Sequence, residues 1–148
     1  MQWRSYPQPS HTADAVPQAI SALATASTKE DAYRAYGELL TAVGRDHAGT
    51  YYPVVVPAIQ FIGEIVEHGG AYARRYALEV LTDLTRSFEP EPGFEIVHND
   101  EGDEIDLRVA VRQATTRLGD ALRRAAVQDD NGQDARTLAR ELLDFLDS

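Results

Sequence analysis

Apolar residues recur every three or four positions over most of this chain, which is the spacing of one face of an α-helix. In one such stretch, Tyr76, Val80, Leu81 and Leu84 fall on the same helical face. No stretch of useful length alternates apolar and polar residues as a half-buried strand does. The pattern predicts six helices, over residues 13–27, 29–45, 51–68, 71–87, 104–127 and 133–147.

Residues with capping and helix-breaking roles lie at the ends of these segments. Thr28, followed three positions later by Asp31, resembles the capping box of a helix N-terminus. Thr50 is predicted to cap the third helix, with Pro53 in its first turn, where a missing N–H costs little. Two glycine-containing pairs are expected to separate later helices, Gly69-Gly70 and Asn131-Gly132.

The second, fourth and sixth predicted helices contain similar hexapeptides. These read ELLTAV from Glu38, EVLTDL from Glu79 and ELLDFL from Glu141, each four or five positions after an arginine. Upstream, the pair Val16-Pro17 recurs as Val56-Pro57. Such self-similarity indicates three helix pairs that stack on one another, because one pair alone cannot bury its apolar face.

The stretch from Val54 to Leu84, VVVPAIQFIGEIVEHGGAYARRYALEVLTDL, resembles a HEAT repeat: a helix with an internal proline, a short turn, and a second helix that opens with arginine. The resemblance implies an all-α fold of three stacked antiparallel helix pairs, a fragment of an α-solenoid, with an acidic loop inserted between the second and third pairs. A proline inside a helix removes one backbone hydrogen bond, so Pro57 is expected to kink the third helix and add curvature to the stack. Curvature creates a concave face.

The longer run from His47 to Phe94 is similar to small bacterial HEAT-like proteins rich in alanine and arginine, some of which are regarded as immunity proteins of polymorphic toxin systems. This resemblance implies a protein that binds other proteins. It implies no reaction and no cofactor.

Length and composition predict a single domain over residues 1–148, with an irregular N-terminal arm over residues 1–12 and an acidic loop over residues 88–103. The 24 acidic and 14 basic residues give a net charge of −10. A surface of this sign repels phosphate backbones, so nucleic acid is not an expected partner. No apolar run approaches the ~20 residues of a membrane span, the first residues do not resemble a signal peptide, and there is no cysteine. These features predict a cytoplasmic protein that does not bind membranes.

Most of the net charge lies in one segment. Between residues 89 and 106 there are eight acids and no lysine or arginine. The acids are Glu89, Glu91, Glu95, Asp100, Glu101, Asp103, Glu104 and Asp106. A charge run of this kind is often a solvated, disordered loop. The interleaved apolar residues favour the alternative that the loop is pinned to the body and presents its carboxylates to a partner; they are Phe88, Phe94, Ile96 and Val97.

Two further sets of residues have both a binding and a structural interpretation. Tyr51 and Tyr52 could be binding hot spots, because tyrosine combines a large rigid ring with a polar end, or they could pack into the core. A set of arginines at helical spacing is expected to form intramolecular ion pairs instead of contacting a ligand. The set comprises Arg74, Arg75, Arg108, Arg112, Arg123 and Arg124.

Motifs for catalysis are lacking. There is no nucleophile elbow around a serine and no glycine-rich phosphate loop. No two of the histidines His11, His47, His68 and His98 are four residues apart, as a metal-binding pair on one helix would be. The acids from Asp100 to Asp106 are dense but lack the spacing of a calcium loop. The sequence therefore predicts neither an enzyme nor a metal site.

Three functional hypotheses follow, for a protein expected to be a monomer. The first is an immunity protein that neutralises a cognate, basic toxin domain by covering its active site. The second is a general scaffold or adaptor that holds a peptide or subunit in the concave groove. The third is a lyase-like enzyme on an α-solenoid, which would need a pocket of converging polar groups that the sequence does not indicate.

Overall fold

The computed structural model describes residues 2–9, 14–128 and 132–148, and most of them are helical. Its α-helices are α1 (Ala15–Ala24), α2 (Lys29–Val43), α3 (Val55–His68), α4 (Ala71–Thr82), α5 (Leu107–Thr116), α6 (Gly119–Val127) and α7 (Gly132–Asp147). Its strands are β1 (Gly44–Arg45), β2 (Thr50–Tyr51), β3 (Glu89–Pro90), β4 (Ile96–His98) and β5 (Glu104–Asp106). The prediction of a mainly α-helical protein is confirmed, with short strands that the sequence pattern did not indicate.

Consecutive helices pack against each other as α1 with α2, α3 with α4, and α6 with α7. Helix α4 also contacts α2 on one side and α7 on the other, while α3 lies against α1, α5 and α6. The core between these helices is aliphatic, and its largest fully buried side chains include Leu39, Ile59, Ile62, Leu81 and Leu122. Helices α3 and α4 therefore contact more of the other helices than the terminal helices α1 and α7 do.

The predicted cap at Thr28 is confirmed, whereas the predicted start of the third helix is wrong. The side-chain oxygen of Thr28 accepts a hydrogen bond from the Asp31 backbone N–H at 3.1 Å. Thr50 lies in β2 instead of capping a helix, and α3 begins only at Val55. Pro57 is consequently in the first turn of α3, where the N–H that proline lacks would have had no partner within the helix. The kink expected at Pro57 therefore has no physical cause.

The single helix predicted over residues 104–127 is also wrong. Residues 104–106 form β5, and Arg117 and Leu118 form a turn that separates α5 from α6. The Leu118 side chain packs so closely on α3 that a Cβ built on Gly63 would lie 2.4 Å from a Leu118 methyl carbon. The break between α5 and α6 thus lies at a contact between distant segments. The apolar spacing continues unchanged across it and therefore gave no sign of the break.

The remaining boundaries agree with the predictions within a few residues. Helix α1 ends at Ala24, and its predicted start at residue 13 lies outside the described residues. The Gly69-Gly70 pair separates α3 from α4 as expected, and α4 continues into a π-helical segment, Asp83–Ser87. The break predicted at Asn131 lies outside the described residues.

The N-terminal arm packs on the body. The Trp3 ring lies 5.4 Å from the Phe61 ring of α3, measured between centroids. The Pro7 carbonyl accepts a hydrogen bond from the Val54 N–H at 3.2 Å. Residues 2–9 therefore cover part of α3 and help to form the site described below.

A small sheet connects the acidic segment to the helices. Strand β2 pairs antiparallel with β1 and parallel with β3, in the order β1-β2-β3. The Glu91 N–H, directly after β3, donates to the Tyr51 carbonyl at 2.8 Å. The sheet thus fixes the start of the acidic segment beside the N-terminus of α3.

The arginines predicted to be structural do bind within the molecule. Arg75 pairs with Asp134 of α7 at 3.7 Å, and Arg124 contacts the Glu67 carboxylate at 2.5 Å. The other ion pairs are Arg108 with Glu89 and Arg123 with Asp120. Arg74 and Arg112 also donate to backbone carbonyls: Arg74 to Val66, and Arg112 to the C-terminal residues Phe145, Leu146 and Ser148.

Candidate partner-binding site

The acidic segment forms an ordered β-hairpin. Strands β4 and β5 pair antiparallel, with Val97 opposite Ile105. In the connection, the Asn99 N–H donates to the Asp103 carbonyl, and the Asn99 side-chain oxygen accepts from the N–H groups of Glu101 and Asp103 at 3.0 and 2.9 Å. Gly102 has a φ of 84°, a left-handed conformation that favours glycine. The interpretation of this segment as a pinned loop agrees with the structure better than that of a solvated, disordered one.

Apolar side chains attach the hairpin and its flanks to the body. Phe88 and Val97 are partly buried against the core, and the Phe94 ring lies 4.8 Å from the Tyr52 ring. Ile96 is the exception, since 53% of its surface is exposed. Three of the four apolar residues singled out in the sequence therefore anchor the segment, and the fourth is available at its surface.

Four of the eight acids have structural roles. Glu91 is buried and accepts a hydrogen bond from the Thr50 hydroxyl at 2.6 Å, with Arg45 at 3.6 Å. The other three are exposed: Glu89 pairs with Arg108, Glu95 accepts from the Gly93 N–H, and Asp106 caps α5 by accepting from the Arg108 N–H. Glu91 is among the acids predicted to contact a partner; because its side chain is buried, this prediction is wrong.

The other four acids lie together around the end of the hairpin. We call Asp100, Glu101, Asp103 and Glu104 the hairpin tip; all four are exposed. Within the part of the chain that the structure describes, no salt bridge joins their carboxylates to a basic side chain. The tip is thus a concentrated negative charge that no described basic side chain offsets by a salt bridge.

The two neighbouring tyrosines differ in their surroundings. Tyr51 is wholly buried, so its predicted role as a partner-binding residue is corrected, and the alternative of core packing holds. Burial raises the pKa of the Tyr51 phenol from 10.0 to about 12. Tyr52 is half-buried, and its ring packs against Phe94 next to the hairpin, so it helps to attach the segment to the body.

Replacing Tyr51 with phenylalanine should cost little stability at neutral pH and should reduce the loss of stability at alkaline pH. The Tyr51 hydroxyl finds no hydrogen-bond partner among the described residues. Its folded-state pKa lies above the unfolded value, so the stabilisation is complete below about pH 10 and is lost as the pH rises through the folded pKa of about 12. Urea unfolding at neutral and alkaline pH measures this, with Tyr72→Phe, at an exposed position, as the control. Parallel alkaline curves for wild type and Tyr51→Phe would contradict the expectation.

A cavity of about 400 Å³ opens beside the hairpin. Its apolar walls come from the N-terminal arm, the start of α3, the hairpin and α5, and include Tyr6, Val56, Phe94, Ile96, Ile105 and Ala110. Polar groups also line it, among them Asp100 of the hairpin tip, His98 and Arg117. Asp100 therefore joins the hairpin tip to a cavity whose lining is partly apolar and partly polar.

Sequence reasoning located the acids of this site but not the other walls of the cavity. Tyr6, Val56 and Ala110 come from three separate parts of the chain, and no local pattern connects them. A second group was also missed: Tyr33, Tyr36 and Tyr76 assemble from α2 and α4. The three-residue spacing of Tyr33 and Tyr36 was a readable signal that both lie on one helical face.

Two structural features are absent from the described residues. They contain no group of three or more histidine, aspartate or glutamate side chains placed to hold a metal ion. Among them, no helix combines the length and the apolar character needed to cross a membrane. Comparisons with protein-family models, with curated proteins and with solved structures find no match for this chain.

Proposed function

We propose that this protein is a non-catalytic protein-binding module whose hairpin tip and adjoining cavity bind a basic protein. The observation that carries the proposal is the set of four exposed carboxylates at the end of the hairpin, one of which, Asp100, also lines a cavity of about 400 Å³. Uncompensated charge of one sign steers an oppositely charged partner and raises the association rate. The apolar part of the cavity lining offers a place for an apolar side chain of the partner, of the kind that anchors protein interfaces.

The partner class that we favour is a basic toxin domain, which makes the protein an immunity protein. The support is the resemblance of the segment from His47 to Phe94 to such proteins, together with the acidic surface. A preformed hairpin that is hydrogen-bonded in its turn loses little conformational entropy on binding, which favours a tight complex. Inhibition by covering an active site needs no catalytic group on the inhibitor.

We also propose that the helices form a short HEAT-like solenoid. The support is that α2, α4 and α7 contact one another in chain order and that Pro17 and Pro57 occupy the same third position of α1 and α3. This arrangement also supports the second candidate function, an adaptor that binds a peptide or subunit along the layer of α2, α4 and α7. The adaptor would not depend on the hairpin tip.

Neutralising the hairpin tip should slow association with the partner. The test uses the product of the gene immediately upstream in the native genome, co-expressed with this protein and examined by co-purification. The variant Asp100→Asn, Glu101→Gln, Asp103→Asn, Glu104→Gln should associate at least about tenfold more slowly at low salt, with a weaker salt dependence. Stopped-flow kinetics and calorimetry at two salt concentrations measure both quantities.

The matched control removes four other exposed acids, with the changes Glu30→Gln, Glu38→Gln, Asp144→Asn and Asp147→Asn. It has the same net charge as the tip variant, so an equal loss of rate in both would assign the effect to overall charge and contradict a role for the tip. If cells that express the upstream product survive only when this protein is also present, that result would support the immunity function. Binding without toxicity would favour the adaptor.

A further inference from the structure

Strand β4 has one edge that no other described strand covers, because its sheet consists of β4 and β5 alone. Across this hairpin the Asn99 N–H donates to the Asp103 carbonyl, and the Glu95 carbonyl accepts from the N–H of the first residue of α5. Since backbone groups alternate in direction along an antiparallel strand, the N–H and C=O groups of Ile96 and His98 point away from β5. Within the described part of the chain, no backbone group pairs with them.

This free edge lies along the cavity beside the hairpin. Every residue from Ile96 to Asp100 lines the cavity, whereas the lining residue from β5 is Ile105. Side chains of successive strand residues point to opposite faces, so an unbroken run of lining residues places the cavity at the edge of β4 and not over one face. Unpaired edge strands are commonly protected by a lysine or a proline, and β4 carries neither. The cavity therefore offers space where a third strand would lie.

The two faces of the hairpin differ in chemistry. On the outer face, Ile96 and His98 stand opposite Asp106 and Glu104 of β5, and all four residues are exposed. On the inner face, Val97 packs against the core. A strand paired with Ile96 and His98 would place two side chains on the outer face, which carries the two carboxylates. The residue between them would point inward, beside Val97.

Charge determines which side chains suit these positions. The carboxylates of Asp106 and Glu104 form no salt bridge with a basic side chain of the described residues, so basic side chains on the outer face are favoured. Inside the cavity, Arg117 disfavours a second cation, while Tyr6 and Val56 contribute apolar lining. The inward position therefore suits an apolar side chain.

We propose that a basic, extended segment of the partner protein adds to β4 as a third, antiparallel strand, with basic side chains opposite Ile96 and His98 and an apolar side chain opposite Val97. In strand addition, main-chain hydrogen bonds supply affinity and the alternating side chains supply selectivity. This inference rests on the function proposed above and deepens it, because it states in what form the basic partner binds.

The test is an NMR titration of the ¹⁵N-labelled full chain with the blocked peptide acetyl-Thr-Lys-Val-Lys-Thr-amide. In the proposed pairing both lysine N–H groups donate to carbonyls of β4, whereas the N–H groups of the valine and the last threonine point away. N-methylation of both lysine nitrogens should weaken binding at least about fivefold, because two hydrogen bonds are lost. The matched control, N-methylated at the valine and the last threonine, should stay within about twofold of the unmodified peptide.

Two variants of the protein test the same edge. His98→Pro removes an N–H that makes no bond to β5, and should weaken binding of the unmodified peptide at least about fivefold. His98→Thr removes the imidazole but keeps the N–H, and should stay within about twofold of wild type. The amide signals of β5 show whether the hairpin is intact in each variant. If His98→Pro disrupts it, the N-methylated peptides still provide the test on the wild-type chain.

Three results would overturn the third strand: no shift of the Ile96 and His98 amide signals, no slowing of hydrogen exchange at these amides in the complex, or equal affinity of the two N-methylated peptides. Association kinetics of the upstream gene product separate this failure from failure of the proposed function. A partner that is slowed by neutralising the hairpin tip but binds His98→Pro as well as wild type would overturn the third strand alone. A partner that is insensitive to both changes would contradict the proposed function as well.

Discussion

Replacing Gly44 with alanine should destabilise the folded protein by about 3 kcal/mol or more. A Cβ built on Gly44 would lie 1.9 Å from the Thr50 carbonyl oxygen and 2.7 Å from the Tyr51 Cα. Both are backbone atoms of β2, which pairs with β1 at this position, so no side-chain rotation can relieve the clash. The alanine variant has to separate β1 from β2, and with them the strand that begins the acidic segment. Urea unfolding followed by circular dichroism measures the loss.

Gly37 provides the matched control, seven residues earlier in the chain. It lies within α2, and a Cβ built there meets nothing within 4 Å. Gly37→Ala should therefore stabilise the protein by about 0.5–1 kcal/mol, since alanine restricts the unfolded chain and favours the helix. If Gly44→Ala is as stable as wild type, β1 and β2 do not approach as closely as the structure places them.

Replacing Thr50 with valine should destabilise the protein by about 1–3 kcal/mol, although the two side chains have nearly the same shape. The Thr50 hydroxyl donates to the buried Glu91 carboxylate at 2.6 Å. The Arg45 guanidinium group lies 3.6 Å from the same carboxylate oxygen. Valine leaves the carboxylate without its donor in a site that water reaches poorly. The buried carboxylate then keeps only its longer contact with Arg45, and the cost of burying it without the hydroxyl donor exceeds the net value of the hydrogen bond itself.

Two further variants test this explanation. Thr50→Val combined with Glu91→Met removes both polar partners and should recover part of the lost stability. Thr41→Val removes an exposed hydroxyl, whose partner is the Gly37 carbonyl at 2.9 Å, and should change the stability by less than about 0.5 kcal/mol. Equal effects of Thr50→Val and Thr41→Val would mean that the contact with Glu91 contributes nothing beyond an ordinary surface hydrogen bond.

Gly44 and Thr50 both lie in the small sheet to which the acidic segment is attached. Through β3 and Glu91, this segment is fixed to the same small sheet that contains Gly44 and Thr50. A variant that loosens the sheet should therefore also weaken binding at the hairpin tip, even though it changes no exposed carboxylate. Partner binding by Thr50→Val, measured under conditions in which the variant is folded, links the packing of the sheet to the proposed function.

The amino-acid sequence by itself determined the features that arise between near neighbours. The period of the apolar residues located most of the helices, the Thr28 hydroxyl and Asp31 N–H are three residues apart, and the Gly69-Gly70 break follows from the low helix propensity of glycine. The concentration of acids before α5 is likewise a property of the sequence alone. Each of these depends on interactions over four residues or fewer, so a single stretch of sequence is enough to predict it.

Only the tertiary structure decided which of the singled-out residues reach the surface. Glu91 is buried because Thr50, 41 positions away in the chain, offers it a hydroxyl group. The packing of α2 beside α4 likewise brings Tyr36 to Asp83, 47 positions away. Such contacts form between elements whose relative placement depends on the packing of the whole core, and local periodicity carries no information about that placement. The sequence therefore predicted where the charge lies along the chain, and the packing of the helices determined which carboxylates a partner can reach.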